Sequence, residues 1–175
     1  MTKQNMATAE KNKKQAKTTK LSVCLEDQSL FHLNFLQKIS NHSQLLHKPT
    51  ILKYALYRYE TLWLPLAAKH NREVLSAPLD IEWIWHCHML SPRAYEADCE
   101  RLVGVVVDHT LKKEAVFQRD QAKAKQYWSD RYPSEPFLCA ISRSDLPEVK
   151  SFESKLSYDV VDAASRQKHF YYQVS

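Results

Sequence analysis

Apolar residues recur at helical spacing along most of the chain. Leu30, Phe31, Leu33, Phe35, Leu36 and Ile39 predict a first helix ending near Asn41. Ile51, Leu52, Ala55, Tyr59, Leu62, Trp63 and Leu66 then mark one face of a longer helix, with Thr50 as its expected cap. Pro65 lies inside that stripe, so a kink or break is expected there, before Ala67 to His70. A polar connection over residues 71–78 leads to a short helix from Asp80 to about Leu90. Ser91-Pro92 reads as a restart, because Pro suits the first helical turn and Ser accepts a free backbone N–H. That helix runs to about Val103, where Gly104 supplies a left-handed terminator. Glu114 to Trp128 predicts a polar helix closed by the Pro-rich turn Tyr132-Pro133-Ser134-Glu135-Pro136-Phe137, anchored by Tyr127, Trp128 and Tyr132. Ser157 is the expected cap of a last helix carrying Val160, Val161, Ala164 and Phe170 and ending near Tyr172. The β-branched run at 105–107 is too short to found a sheet. The predicted fold is all-α, an irregular helical bundle of about six helices with no substantial sheet.

Composition narrows the chemistry. One glycine in 175 residues disfavours Gly-rich phosphate loops and dinucleotide fingerprints. The net charge of +5 is misleading as a property of the whole: six lysines against one glutamate within residues 1–20 account for all of it. The other 155 residues are formally neutral, so no nucleic-acid-binding surface is indicated on the domain. Residues 1–20 hold almost no large apolar side chain and read as a disordered Lys-rich leader, with 21–175 as the helical domain. The leader's lysine run can act as a nuclear-import signal or touch acidic partners, RNA included, but a plain solvated terminus is the simpler reading. Cys24, Cys87, Cys99 and Cys139 are scattered without a CxxC, and no apolar run approaches the ~20 residues needed to cross a bilayer. A cytoplasmic protein with reduced thiols and no membrane contact is expected, with the nucleus as a second location.

Chemistry concentrates in Asp80-Ile81-Glu82-Trp83-Ile84-Trp85-His86-Cys87-His88-Met89-Leu90-Ser91-Pro92, followed by Tyr95, Asp98 and Cys99. On a regular helix His86 and His88 stand about 200° apart, so HxH is not a ready-made metal pair. Ile81, Ile84, Trp85 and Met89 form one apolar arc with His88 near its middle, while Trp83 and Leu90 cover much of the other side. The helix is therefore expected to be buried nearly all round, with Glu82 and His86 sharing a narrow polar sector. The plainest role for His88 is that of a core histidine bonded to Asp98, Tyr95 or a backbone carbonyl. Asp80, Trp83, Trp85, His88, Pro92 and Tyr95 are read as the structural core of the motif. The sharper alternative is a zinc site built from His86, His88, Asp98 and Cys99, with Glu82 or His109 as further candidates. General acid–base catalysis by the same groups is a further alternative. Cys87 is poorly placed as a nucleophile, because neighbouring side chains on a helix point apart. Tyr54, Tyr57, Tyr59 and Trp63 read as packing residues.

At these residues the chain resembles the glycine-rich domain-containing proteins, a domain of unknown function best known from plants. The resemblance rests on four segments in order. They are Tyr57-Arg58-Tyr59 with Trp63-Leu64-Pro65-Leu66 and Ala68-Lys69-His70; Pro78-Leu79-Asp80 with Glu82 to His88, Leu90, Pro92, Tyr95, Asp98 and Cys99; Trp128 with Tyr132-Pro133 and Glu135-Pro136-Phe137; and Tyr158 to Val161 with Arg166-Gln167 and Phe170 to Ser175. The resemblance implies a longer parent domain, so the chain is expected to represent its first part, shortened at the C-terminus. It implies links to development and to stress or hormone responses without an established catalytic activity. The expected function is a non-enzymatic intracellular helical interaction domain with a protein partner and no cofactor. The alternatives are a zinc-dependent hydrolase or metal-binding protein using the WHCH segment, and an RNA-associated protein acting through the leader.

Overall fold

The computed structural model describes residues 21–174 apart from 111, 139, 143–145, 148 and 150, with side chains described as far as 167. The Lys-rich leader and Cys139 lie outside the described residues. The elements in order are α1 (Leu25–Asn41), α2 (Gln44–His47), α3 (Pro49–Arg58), a π-helical turn (Tyr59–Trp63), α4 (Leu64–Lys69), α5 (Leu79–Met89), α6 (Pro92–Val103), α7 (Glu114–Arg131), a 3₁₀ turn (Ala140–Ser142) and α8 (Val160–Val174). No strand occurs among the described residues, and the all-α expectation holds. Each expected helix has its counterpart, with α2 added as a short connector.

Pro65 does not break the second helix. Its ring would crowd the Thr61 carbonyl and it brings no N–H to the ladder. The backbone widens into a π turn over Tyr59–Trp63 just ahead of it, and the rod continues as α4. The Tyr132 hydroxyl donates to the Leu62 carbonyl in this irregular stretch (2.9 Å). The turn also sets the direction of Tyr59 and Trp63, both fully buried.

Three expected caps are corrected. Thr50 lies inside α3, which begins at Pro49 with Lys48 before it. Ser91 precedes α6 and its carbonyl accepts the Tyr95 N–H, but its side chain makes no capping bond, so Pro92 at the first turn is the start signal that operates. Asp159, not Ser157, caps α8: its Oδ1 accepts the Asp162 N–H (2.8 Å) and its carbonyl accepts that of Ala163 (3.0 Å). Ser157 is drawn away to Asp98 instead. At the far end of α6, Gly104 takes φ 76° and directs its N–H at the Cys99 and Glu100 carbonyls, the terminator the sequence predicts.

Helix α5 is the centre of the packing. It touches α3, the π turn, α6 and α8, and residues Asp80 to Trp85, Cys87 and His88 are buried. Burial is not complete around it: His86 is half-exposed and Leu90, just past the end, is exposed. Trp128 anchors the Pro-rich turn as expected, its indole N–H donating to the Glu135 carbonyl (2.7 Å) and its ring edge-on to Phe137. Tyr127 does not join it. Its ring stacks on His70 (3.9 Å between centres) and its hydroxyl donates to Glu73 (2.8 Å), because one step along α7 turns it to another face.

Candidate functional site

The Trp/His segment forms α5, and its two histidines face different surroundings. His88 is fully buried. Its Nδ1 is 2.9 Å from the Tyr59 hydroxyl and its Nε2 is 3.2 Å from Asp98 Oδ2. One neutral tautomer satisfies both contacts: Tyr59 donates to Nδ1, and Nε2–H donates to the carboxylate. The Tyr95 ring stands edge-on to the imidazole at 5.1 Å. Burial lowers the His88 pKa, opposed by the Asp98 charge, so the ring is neutral at pH 7.

Asp98 is a heavily bonded buried carboxylate. Arg101 donates to Oδ1 (2.5 Å), while the Ser157 N–H (2.8 Å) and hydroxyl (3.0 Å) join His88 at Oδ2. Burial pushes its pKa up, but Arg101, Ser157 and His88 outweigh that and hold it below the ordinary value. Trp85 donates its indole N–H to the Tyr95 hydroxyl (2.9 Å), which donates to the Val107 carbonyl (2.5 Å). Two chains of bonds thus tie α5 to the π turn, to α6, to the 105–107 segment and to the approach to α8.

His86 points elsewhere. Its ring lies against Phe35 and His32 of α1, with centres 5.3 and 5.2 Å away, and near-parallel to Trp83. Burial, with the neighbouring imidazoles of His32 and His109, lowers its pKa to about 4. The four residues of the expected zinc set are therefore not assembled. His88 and Asp98 meet, whereas His86 opens toward a separate cleft, as the roughly 200° separation requires. Cys99 is buried beside Tyr95 and Asp98, and burial raises its thiol pKa; Cys87 is buried too and its thiol is pushed up strongly. Neither thiol is poised as a thiolate. Among the described residues no three His, Cys, Asp or Glu side chains converge as a metal-binding group. Of the expected core residues, Asp80, Trp83, Trp85, His88 and Tyr95 are buried, while Pro92 is exposed and serves α6 only as its first residue.

A second polar centre was not legible in the pattern. Arg58 is fully buried, and its guanidinium donates to Asp80 Oδ2 (2.6 Å) and the Pro136 carbonyl (3.0 Å). Its Nε lies 3.3 Å from Glu135, and the group sits over the Trp128 ring at 5.2 Å. An arginine flanked by tyrosines looks like an ordinary helix surface residue. Its charged and carbonyl partners, Asp80 and the Pro-rich turn, lie far from it in sequence.

The family model for glycine-rich domain-containing protein-like sequences matches residues 1–98 and 94–175. The chain belongs to the glycine-rich domain-containing protein-like family. It is 37% identical over 171 residues to glycine-rich domain-containing protein 1 of Arabidopsis thaliana, covering 92% of this chain and 21% of that protein. It is 35% identical over 183 residues to glycine-rich domain-containing protein 2 of the same plant, covering 100% of this chain and 23% of the relative. The chain thus spans under a quarter of the length of these curated relatives. No solved structure matches it. Gly104 is its sole glycine, so the composition in the family name is not carried by this stretch.

The four segments that carry the glycine-rich domain-containing protein-like resemblance are far apart in sequence and meet around α5. Tyr59 from the first reaches His88 of the second. Arg58 joins Asp80 to the Glu135-Pro136 turn of the third. Ser157, leading into the fourth, binds Asp98.

Proposed function

We propose that the chain is a non-enzymatic helical interaction domain. The observation that supports this most is that Trp85, Cys87 and His88 of the WHCH segment are turned inward. His88 is held between Tyr59 and Asp98, Trp85 is bonded to Tyr95, and both nearby thiols are buried and protonated. A general acid or base must reach a substrate proton, and a nucleophile must be ionisable near neutral pH. Neither condition is met at His88, Cys87 or Cys99. What such an arrangement supplies is a rigid core that presents outer surfaces. Leu30 and Leu33 of α1 stand exposed, side chains of the kind that partner surfaces cover. Under this reading the protein acts in the cell through a protein partner, and any part in development or in stress and hormone responses runs through that contact. No helix of the described residues is long and apolar enough to cross a membrane.

The test pairs two readouts on His86→Ala and His88→Ala. One is the melting temperature; the other is turnover of generic ester, phosphoester and peptide substrates by the purified full chain. The reading expects a marked fall in melting for His88→Ala and no turnover above buffer in any variant. Wild-type turnover that either substitution abolishes without a change in melting would overturn it.

A further inference from the structure

The cleft beside α5 gathers three imidazoles. His32 of α1, His86 of α5 and His109 of the segment before α7 line one opening of about 470 Å³, together with Gln28, Asp108 and Thr110. We propose that His32, His86 and His109 form a binding site for a divalent transition ion of the zinc class, with Glu82 positioning His109.

Three observations carry this. The ring centres of His32 and His86 are 5.2 Å apart. Two imidazoles on one tetrahedral ion, with metal–nitrogen bonds of about 2.0–2.1 Å, hold their centres about 5 Å apart. Second, His109 Nε2 lies 3.6 Å from Glu82 Oε1, with both side chains about nine-tenths buried or more. A small adjustment makes that contact a hydrogen bond and leaves Nδ1 for the ion, the carboxylate–histidine–metal arrangement that fixes a ligand's tautomer. Third, His109 Nε2 and Glu82 Oε2 are buried without a hydrogen-bond partner. An orphaned Nε2 in that position is answered by the Glu82 carboxylate, which leaves Nδ1 as the ligand atom. Glu82 and His86 are four residues apart on α5 and so share a face, which brings the carboxylate and one ligand to the same side.

As they stand, no three of the described His, Cys, Asp or Glu side chains converge on one point, so the ion gathers them by side-chain rotation. His32 is half-buried and lines the cleft. The mouth of the cleft leaves the fourth position to water or to a ligand atom from outside. An all-nitrogen set with a carboxylate behind it suits zinc, cobalt or nickel rather than magnesium or calcium, which prefer oxygen. His88, Asp98 and Cys99 take no part.

The experiment uses the untagged full chain, stripped with chelator and dialysed, titrated calorimetrically with zinc chloride and followed by the visible spectrum with cobalt. One ion per chain is expected, with a cobalt spectrum of four-coordinate type. His32→Ala and His109→Ala should each weaken zinc binding at least tenfold, and Glu82→Gln about 10–100-fold. His32 is half-buried on α1, and melting curves of His32→Ala and His109→Ala beside the titrations separate a lost ligand from lost packing. No saturable one-to-one binding by the wild type would overturn the proposal, as would a loss under tenfold in His32→Ala or an equal loss in His70→Ala, outside the cleft. The proposal goes beyond the interaction reading, and its failure would leave that reading standing.

Discussion

The imidazole of His88 lies 3.2 Å from the Asp98 carboxylate, and neither side chain is reached by solvent. Each is the other's means of being buried. Without His88 the carboxylate would lack its ring donor, and without Asp98 the Nε2–H would lose its acceptor, since Tyr59 donates to the ring. The contact joins α5 to α6, and Ser157 extends it to the approach to α8.

Removing either member should therefore destabilise the domain. His88→Ala and Asp98→Ala are each expected to cost about 3 kcal/mol, through a cavity or an abandoned polar partner. The double variant should cost less than the sum of the two, by about 1 kcal/mol or more. Urea melts of the four proteins of the cycle check this; strict additivity would show that the contact contributes nothing.

Acid should weaken the fold in a defined window. The His88 pKa is lowered in the folded state by burial against the Asp98 charge, and that of His86 falls to about 4. Asp98 is also held low, since Arg101, Ser157 and His88 outweigh its burial. The other titratable groups facing His88 (Tyr59, Tyr95 and Cys99) are raised and stay uncharged in this range. All three lowered groups bind protons more readily in the unfolded chain, so stability rises with pH. The contribution of the histidines is complete above about 6.5 and is lost below it, for His86 as pH falls toward about 4, and Asp98 adds its own loss below about 3.9. Melting temperature measured in chelator from pH 8 to 4 should fall steadily below about 6.5. A stability maximum near pH 5 would contradict the assignment.

Arg58 should be intolerant of change. Arg58→Met leaves Asp80 buried without its cation, an effect on the order of 3–5 kcal/mol. Arg58→Lys is not a rescue, because one ammonium cannot reach Asp80, Glu135 and the Pro136 carbonyl in the fork geometry of a guanidinium. Thermal melts comparing the two should show large losses in both; a near-native Lys variant would mean that charge alone suffices.

Gly104→Ala tests the α6 terminator in isolation. An added methyl would meet no atom within 4 Å, so space is not the obstacle. The cost comes from φ 76°, a left-handed conformation that L residues adopt at about 1 kcal/mol. A loss of roughly 3 °C in melting is expected for a domain of this size, and no change would place the strain elsewhere.

Helices were legible because their apolar stripes are long, and the Gly104 stop because one residue type dominates that geometry. Caps were less so. Thr50, Ser91 and Ser157 have the right chemistry for capping, but a serine or threonine cannot announce from sequence whether a nearer partner will claim it, as Asp98 claims Ser157. Pro65 shows a related gap: the missing N–H is visible, yet whether the backbone breaks or widens depends on packing around Tyr59 and Trp63. On α5, helical spacing separated His86 from His88 correctly. It could not reveal that His86 would lie against His32 and share a cleft with His109, since those stand 54 and 23 residues away in the chain. Arg58 was missed for the same reason, its partners being assembled only by the fold.

The most direct test of the account is a histidine ¹⁵N NMR titration of the full chain, following the His88 ring from pH 8 to 5. The account predicts a neutral ring with its proton on Nε2, titrating below 6.5 and exchanging slowly with water. A His88 that protonates near 6.5 with rapid solvent exchange, or that carries its proton on Nδ1, would contradict it.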